Sequence, residues 1–411
     1  MTGFQKYLFC LVLFIISLLV MPSFSFSKEK NAQNTKQEAL QQQIYNLRQE
    51  IERNSTALRE EMEELKAQKQ EGKEGGMGKI TFSGYGETHY NNDSRKQPEM
   101  DAHRMVIGVH HTFNEWISSH AEVDFEHAAK DMELEFAYVD FHLSDALGIR
   151  AGTLLMPVGY LNEFHEPPLY HSVERPTVQR DIIPTTWNEG GLGIYGGLGD
   201  NAWNYRLYLV STLNAAKFTP SSGIRDGRQE ADEALSRDLA VVGRLEYSGL
   251  LPGLSVGGSA YSGKANQGNG ALGDANVTLL NADGKYQSGP WEFTTLYAQI
   301  NLSDADKVSA VVGKTIAERM IGGYAEVAYH LLHAYPTEAD LTLFGRYEKI
   351  NTQATVPAGF PSDSAQNRKA TVVGLAYRPI PNVAAKVDNG SWSDASGKSW
   401  NVFNAGIAYM F

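Results

Sequence analysis

The final segment of the chain, residues 401–411, alternates between two kinds of side chain with a period of two. Successive side chains of a β-strand point to opposite sides, so one face of this segment is continuous and apolar. That face carries Phe403, Ala405, Ile407, Tyr409 and Phe411, whereas the other carries Asn404, Gly406 and smaller groups. Such a strand suits a barrel wall that faces lipid, with aromatic side chains near its interface. The last strand of a soluble sandwich has a similar pattern.

The amino-terminal residues favour the lipid-facing interpretation. Lys6 precedes an apolar run over 7–21, Pro22 ends that run, and small residues follow at positions 25 and 27. This is the layout of a secretory signal, and it predicts cleavage after residue 27 in preference to a retained membrane anchor. The aromatic strand at the other end also resembles the signature by which bacterial outer-membrane proteins are recognised for insertion. The predicted location is therefore the outer membrane of a bacterial cell.

The only cysteine, Cys10, lies inside the predicted signal. The mature chain would therefore contain no disulfide, no thiolate metal site and no haem attached through a Cys-x-x-Cys-His motif. No other apolar stretch reaches the roughly 18 residues that a membrane-spanning helix needs. A barrel wall is not detected by such a search, because only alternate residues of each strand have to be apolar.

Residues 28–71 are predicted to form a periplasmic coiled-coil segment, and a glycine-rich linker follows at 72–78. Apolar residues recur there with 4,3 spacing: Ile44, Ile51, Leu58 and Leu65 take the a positions, and Leu40, Leu47, Asn54 and Glu61 take the d positions. A polar core residue such as Asn54 fixes register and oligomeric state. The alternative is a single solvated helix, but isolated helices are marginally stable, so a peptide covering 36–70 should self-associate.

Period-two alternation replaces the helical pattern beyond the linker and predicts an all-β domain over 79–411. About sixteen strands are predicted, near 79–90, 104–113, 117–128, 131–143, 147–155, 188–198, 202–213, 238–248, 253–264, 275–287, 290–302, 318–332, 339–351, 368–378, 382–390 and 397–411. Each is near the length that crosses a bilayer when tilted. In the fourth strand the apolar positions change phase between Leu134/Phe136 and Val139/Phe141, which predicts a bulge or a misplaced boundary.

The predicted links between these strands are alternately short and long. The short ones lie at 114–116, 144–146, 199–201, 249–252, 288–289 and 379–381, and the long ones at 91–103, 155–187, 214–237, 265–274, 303–317 and 352–367. Outer-membrane barrels have short periplasmic turns and longer outer loops, so this alternation predicts a transmembrane antiparallel β-barrel. An even number of strands places both ends of the barrel domain in the periplasm, beside the predicted coil.

The longest link carries a specific resemblance. It includes Arg150-Ala151-Gly152, Pro157-Val158-Gly159, Glu174-Arg175 and the run 180–185, followed by Trp187, Glu189, Gly190 and Gly191. In these residues the chain resembles the phosphate-selective porin O/P family. The resemblance implies a trimeric porin of 16 strands whose third outer loop folds into the pore and constricts it. Trimeric assembly in that family is the reason to expect a three-stranded coil.

The predicted constriction, residues 155–189, departs from the charge pattern that the resemblance implies. Its candidate pore residues are Glu163, His165, Glu166, His171, Glu174, Arg175, Arg180 and Asp181. The family's phosphate selectivity rests on lysines and arginines, yet this segment contains no lysine, and its five acidic residues outnumber two arginines. An anion site needs fixed positive charge along the pore. The segment therefore predicts a pore that is indifferent to phosphate or mildly selective for cations.

The side chains predicted to line the wall of the lumen form two groups. The early strands contribute Glu87, Glu122, Asp124 and Glu126, and the later strands contribute Arg150, Arg206, Arg244, Arg346 and Lys386. Opposite charges on facing sides of a water-filled lumen would create a transverse field. Ion pairs between neighbouring strands are the equally weighted alternative, and a register slip of one residue would move any of these side chains to the lipid face.

The function predicted from these features is an outer-membrane porin, a water-filled diffusion channel for small hydrophilic solutes and ions, surrounded by outer-membrane lipid. The alternative is a barrel that acts as a sleeve or scaffold for a periplasmic multihaem cytochrome in electron transfer across the outer membrane. A nucleic-acid partner is not predicted for this chain.

Enzyme, cofactor and metal sites are not predicted. No Gly-x-Ser-x-Gly or His-Glu-x-x-His motif is present. The glycine-rich stretch at 190–197 precedes no helix that would hold phosphate, so it is interpreted as tight packing. Adjacent histidines at 110 and 111 point to opposite faces of a strand. His165 and His171, with Glu163 and Glu166, are the only candidate ligand set, and they lack the spacing of a regular element.

Overall fold

A computed structural model describes residues 78–411, and the predictions made for residues 1–77 lie outside this part of the chain. Sixteen strands form one closed antiparallel barrel. They are β1 (Lys79–Asp93), β2 (Glu99–Thr112), β3 (Ile117–Glu126), β4 (Asp131–Ser144), β5 (Leu147–Leu155), β6 (Asn188–Leu198), β7 (Trp203–Ser211), β8 (Leu239–Tyr247), β9 (Leu254–Lys264), β10 (Asn276–Ser288), β11 (Trp291–Leu302), β12 (Arg319–His330), β13 (Asp340–Thr355), β14 (Asn367–Ile380), β15 (Val383–Asp394) and β16 (Ser399–Met410). The predicted fold class of the barrel domain is confirmed.

Each strand pairs with its neighbours in the chain, and β1 pairs with β16 to close the barrel. Closure removes the unpaired edges that would otherwise template association with other chains. Twelve strands begin and end within two residues of the predicted positions, β13 and β15 each end four residues later, and the prediction of a loop over 91–103 is wrong. There β1 continues to Asp93 and β2 begins at Glu99, with Asn91 opposite Glu99 in the ladder. Met100 and Ala102 are the only apolar residues between 91 and 103, too few for the hydrophobic alternation on which the prediction depended.

All the links longer than nine residues lie at one end of the barrel, here called the long-link end, which also carries three short ones. Links at the opposite, short-link end occupy 113–116, 145–146, 199–202, 248–253, 289–290, 331–339 and 381–382, and the long-link end carries 94–98, 127–130, 156–187, 212–238, 265–275, 303–318, 356–366 and 395–398. One long link contains a short helix, α1 (Ala305–Val312). Within residues 78–411, no helix combines the length and the hydrophobicity required to cross a bilayer.

The phase change predicted in β4 is a bulge at Glu135. Phe136 pairs with Glu122 and Leu134 pairs with Val123, so Glu135 has no opposite residue on β3. Glu135 and Phe136 are both buried, whereas Leu134 is exposed on the outside. The bulge therefore turns two consecutive side chains inward, and Phe136 does not continue the outer face of Leu134 as its spacing suggested.

The outer surface of the barrel is apolar and the interior is charged. Exposed outward-facing side chains include Phe82, Leu192, Leu207, Leu245, Leu280, Val373 and Ile407. At the short-link end, aromatic pairs lie on the outside, including Trp203–Tyr247 with ring centroids 4.2 Å apart and Trp291–Tyr329 at 4.7 Å. This distribution inverts that of a water-soluble protein and matches a wall surrounded by lipid, with an aromatic girdle at one interface.

Apolar side chains fill part of the interior near the long-link end. The long links contribute Trp187, Phe218, Ile224, Leu272 and Val308, and the inner face of β7 to β13 contributes Tyr208, Val242, Tyr261, Leu279, Ile300, Met320 and Ile350, all of them buried. The interior is therefore divided. Against the inner face of β7 to β13 it is packed like the core of a soluble protein. Charged side chains dominate along β1 to β4 and β13 to β15.

The seam between β1 and β16 is extended by Phe411. Its backbone N–H donates to the carbonyl oxygen of Gly84 at 2.8 Å, and the N–H of Gly84 donates to the carbonyl oxygen of Phe411 at 3.0 Å. The Phe411 ring covers Gly84, lying 2.8 Å from where a Cβ would stand. The predicted alternation in β16 is confirmed, since Ile407 is exposed and Asn404 is buried.

Deleting Phe411 should reduce the yield of folded barrel, because it removes two backbone hydrogen bonds and the ring that covers Gly84 at the closing seam. The measurement is the heat-modifiable band of the protein in electrophoresis of outer-membrane fractions. Phe411→Tyr keeps the ring and the backbone and serves as the control. Equal amounts of folded protein from the deletion variant and the control would contradict this role of the residue.

Candidate functional site

Residues 156–187, here called the inward segment, run through the interior of the barrel. Its polar contacts reach strands around most of the circumference: His165 with Tyr85 and Glu135, Glu163 with Arg206, Gly159 with Asn281, His171 with Glu326, Thr177 with Glu348, Asp181 with Arg368, and Val173 with Asp388. These partners lie on β1, β4, β7, β10 and β12 to β15. The segment therefore crosses the lumen and contacts opposite walls.

The sequence of the inward segment explains why it forms no strand. Five prolines interrupt it, and proline cannot donate to a ladder of hydrogen bonds. Only a 3₁₀ turn at Pro167–Leu169 and a π-helical turn at Val178–Ile182 are regular. Ile182 and Ile183 lie in the apolar core beneath β7 to β13, and this burial fixes one side of the segment.

Asn162 joins the two ends of the inward segment. Its Nδ2 donates to the carbonyl oxygens of Met156 at 2.8 Å and Trp187 at 2.9 Å, and its Oδ1 accepts from the N–H of Trp187 at 2.9 Å. Asn162 is buried, so these bonds satisfy both halves of its amide. Sequence reasoning missed this residue, and nothing in the pattern of charges or hydrophobicity indicates it.

Arg104 lies at the centre of an acidic group on β1 to β4. Its guanidinium is 2.7 Å from Glu126, 3.3 Å from Glu135, 3.4 Å from Asp124 and 3.5 Å from Glu87. The structure thus brings together three of the four acidic side chains predicted on the early wall. Arg104 itself was missed, although it stands directly opposite both Glu87 and Glu126 in the sheet.

Two further carboxylates near this group lack a cation partner. Across the part of the chain that the structure describes, no basic side chain lies within 4.0 Å of Glu122 or Glu166. The Oε2 atom of Glu166 is buried without a hydrogen-bond partner among the same residues. Burial raises the pKa of the Glu166 carboxyl. His165 lies beside them, and its Nε2 is 2.9 Å from Glu135 and 2.8 Å from the Tyr85 hydroxyl.

Each arginine predicted on the later wall has a carboxylate partner. Arg150 binds Asp140, Arg206 binds Glu163 and Glu246, Arg244 binds Glu246 and Asp283, and Arg346 binds Glu326. These arginines therefore form ion pairs with nearby carboxylates. Ion pairing was one of the two predicted alternatives, and a transverse field across the lumen was the other. The prediction missed Asp140, Glu246, Asp283 and Glu326 because one sequence does not show which inward positions stand side by side in the sheet.

Lys386 is the exception among the predicted basic residues. Its Nζ donates to the carbonyl oxygens of Pro167 and, at 3.0 Å, of Ser172, and it lies 3.9 Å from the centroid of the Tyr170 ring. The ammonium group therefore holds the inward segment against β15 through the backbone. Arg378 makes similar contacts with the carbonyl oxygens of Pro168 and Tyr170.

The remaining predicted pore residues of the inward segment contact different strands of the barrel wall. Glu174 is 3.3 Å from His89 on β1, and Asp181 is 2.9 Å from Arg180 and 3.0 Å from Arg368. Burial acts to raise the pKa of Glu174, but the hydrogen bond and charge of His89 hold this pKa well below its usual range. Arg175 donates to the carbonyl oxygen of His165 at 3.5 Å.

A closed circuit of hydrogen bonds crosses the seam. Asn91 on β1 donates to Glu174 at 2.9 Å and to Asn404 on β16 at 3.0 Å. Asn404 donates in turn to Asp388 on β15 at 2.8 Å, and Asp388 accepts from the backbone N–H of Val173 at 2.7 Å. Because Val173 and Glu174 are adjacent in the chain, the inward segment joins both sides of the seam.

Two groups of side chains in residues 78–411 have the composition and spacing to hold a metal ion, Asp101 with His103 and His127, and His171 with Glu292 and His330. The candidate set weighed from the sequence is not assembled, since His165 contacts Glu135 while His171 contacts Glu326. His110 contacts His120 at 2.8 Å and His111 packs on Phe113, so the predicted opposite orientation of these adjacent histidines is confirmed.

Comparison with known proteins identifies a relative and a fold. An uncharacterized protein of Aquifex aeolicus (strain VF5) is 35% identical over 353 residues, which cover 81% of this chain and 80% of that protein. The chain belongs to the same family as this protein. No family model matches the chain.

Several solved structures share the fold at low sequence identity. A loop L8 deletion mutant of OmpT, an outer membrane protein of Vibrio cholerae, aligns with a TM-score of 0.54 at 12% identity, over 81% of this chain and 99% of that one. The outer membrane channel DcaP of Acinetobacter baumannii gives 0.54 at 12%, over 82% and 99%, and OmpF of Salmonella typhi gives 0.54 at 14%, over 81% and 98%. The chain therefore has the fold of outer-membrane porins and channels.

Proposed function

We propose that this protein is an outer-membrane porin, a diffusion channel for small hydrophilic solutes and ions. The observation that carries the proposal is the distribution of side chains in a closed barrel, with exposed apolar groups outside and charged groups inside. Such a wall is stable only where lipid surrounds it, and a polar interior then offers a path across that lipid. This gives the barrel a bacterial outer-membrane location, with its short links in the periplasm.

The inward segment serves as the constriction of this channel. Its contacts with opposite walls support the role, because a segment bound to both β1 and β13 narrows any path between them. The apolar core closes the region beneath β7 to β13 near the long-link end. Solutes therefore pass along β1 to β4 and β14 to β16, beside the predicted pore residues Glu166 and Glu174.

The channel prefers cations and does not select phosphate. The arginines of the later wall are paired with carboxylates, whereas the group around Arg104 holds four carboxylates against one guanidinium. The resemblance to the phosphate-selective porin O/P family supports the channel function but not that selectivity. Fixed negative charge in a narrow passage concentrates cations.

The functional unit is a homotrimer supported by the coil predicted at 28–71. The 4,3 spacing in that segment supports self-association, and one similar structure, with a TM-score of 0.50, is the trimer form of OmpT of Vibrio cholerae. We expect cross-linking of the full-length protein in detergent to give trimers and a variant without residues 28–71 to give fewer. Equal trimer yields from the full-length protein and this variant would show that contacts of the barrel wall are sufficient for trimer assembly.

The alternative role as a sleeve for a multihaem cytochrome has less support. The inward segment and the apolar core occupy the interior that such a partner would enter. No contact or surface of the described residues favours a haem protein over a solute.

The test of the proposed function is electrical. The refolded full-length protein, added to a planar bilayer in KCl solution, should produce discrete and ohmic conductance steps. Protein that migrates as folded in electrophoresis but never yields steps would overturn the proposal.

Shortening the inward segment by removing residues 163–175 should raise the step size, because it removes the part that spans the lumen. Unchanged steps would exclude the inward segment as the constriction.

A further inference from the structure

Three side chains inside the barrel converge near the short-link end. His171 comes from the inward segment, Glu292 is the second residue of β11, and His330 is the last residue of β12. One ligand atom from each lies within 4.8 Å of the other two. The Nε2 of His330 and the Oε2 of Glu292 are 3.8 Å apart. Two imidazoles and one carboxylate are a donor set that binds zinc in proteins.

The second nitrogen of each imidazole is already held by a carboxylate. His171 Nδ1 is 2.9 Å from Glu326 Oε1, and His330 Nδ1 is 3.0 Å from Asp340 Oδ1. A histidine that binds a metal usually donates its other ring N–H to a carboxylate or carbonyl oxygen, which fixes the tautomer and the orientation of the ring. Here both rings have this support, and the Nε2 of His330 lies toward Glu292.

The free nitrogen of His330 has no hydrogen-bond partner among the described residues, although it is buried. A buried polar atom without a partner is unfavourable, and a bound cation would satisfy it. The ring of His171 stacks on Phe344 with centroids 5.9 Å apart, which restrains its position. The pair of imidazoles is thus oriented and lacks only a common partner.

The separations are close to those a metal needs. Donor atoms about 2.0–2.1 Å from a tetrahedral zinc ion are roughly 3.3 Å from one another. The 3.8 Å pair approaches this separation, and His171 lies on a segment without regular structure, so a small shift brings its nitrogen into range. Lys285 approaches the other oxygen of Glu292 at 3.2 Å, but its side chain is 35% exposed and can turn toward water.

We propose that His171, Glu292 and His330 form a binding site for a divalent transition-metal ion of the zinc class. The fourth position faces the lumen and takes water or a solute ligand. A bound ion joins the inward segment to β11 and β12 at the short-link end of the barrel. The site is independent of conduction, so binding can be measured whether or not the barrel forms steps in a bilayer.

The test is zinc binding to the folded full-length protein in detergent, measured by competition with a chromogenic chelator. We expect wild type to bind zinc at this site, and His171→Gln and His330→Gln each to weaken that binding at least about ten-fold, because each removes one of three ligands. His142→Gln serves as the matched control, since this half-exposed histidine lies outside both groups. It should bind zinc as wild type does.

Two results would overturn the proposal. One is a wild-type protein that binds no zinc, which would leave the three side chains a hydrogen-bonded cluster without a metal. The other is full zinc binding in His171→Gln together with loss in His103→Gln, which would assign the metal to the rim group of Asp101, His103 and His127. Should the lumen variants fail to fold, X-ray absorption of zinc-loaded His103→Gln still decides, because of the two groups that variant leaves only the lumen group with two histidines. Two imidazoles with oxygen support the site, and fewer than two imidazoles reject it.

Discussion

Arg104→Gln should lower the free energy of unfolding of the barrel by about 3–5 kcal/mol, the usual loss when one partner of a buried ionic group is removed. The Arg104 side chain is 4% exposed, and four carboxylates lie within 3.5 Å of its guanidinium. Without it, these negative charges face one another in a region from which water is largely excluded. The measurement is denaturant unfolding in detergent followed by tryptophan fluorescence, at mildly alkaline pH where carboxylates are ionised.

Arg95→Gln is the matched control for this prediction. Arg95 also pairs with a carboxylate of β1, that of Asp93, but its side chain is 57% exposed. Exposed pairs contribute about 0–1 kcal/mol, so this variant should unfold close to wild type. The double variant Arg104→Gln/Glu135→Gln should recover part of the loss, since it removes one of the facing charges. Similar stability of Arg104→Gln and Arg95→Gln would show that the acidic group does not depend on its central arginine.

Replacing Glu163, Glu166 and Glu174 together with Gln should shift the selectivity of the channel toward anions. One unit charge about 8 Å from an ion in water contributes about 0.5 kcal/mol, which changes the local ion concentration roughly two-fold. Removing three negative charges with little change in side-chain volume should therefore lower the ratio of cation to anion permeability several-fold. The measurement is the reversal potential across a KCl gradient for the wild-type and variant channels.

The pair of Glu163 and Arg206 offers a charge-neutral control. Their side chains are 3.0 Å apart, and Glu163→Gln/Arg206→Gln removes one charge of each sign. Its reversal potential should stay near that of wild type if net fixed charge determines selectivity. A native preference for phosphate over chloride that persists in the triple variant would contradict the proposed selectivity and restore the role implied by the porin O/P resemblance.

The barrel could be predicted because its strands follow a local rule. A wall between lipid and water requires alternation within each strand, so the sequence contains the signal for β3 or β16 without knowledge of their neighbours. The rule fails where a strand leaves the lipid. At 91–103 the extended β1–β2 hairpin has only Met100 and Ala102 as apolar residues, too few to give the alternation that marks a strand.

The candidate site was harder to predict because its chemistry depends on neighbours from distant strands. Glu163 and Glu174 were predicted as pore charges, yet each is held by a wall residue, Arg206 or His89. Which wall residue an inward side chain meets depends on the path of the inward segment through the lumen. That path is fixed by Asn162 and by apolar burial, and neither leaves a periodic pattern in the sequence.

The hydrogen-bonded circuit across β1, β16 and β15 links the position of the inward segment to the mechanical strength of the barrel. The first and last strands meet only at this seam, and side chains of the segment complete the circuit from Asn91 through Asn404 to Asp388. When the segment moves away, Val173 and Glu174 leave with it, and the seam retains its backbone ladder and the single Asn91–Asn404–Asp388 chain. In a channel that widens by this movement, we therefore expect lateral separation of these strands to become easier, which would couple permeation to sideways opening toward the lipid.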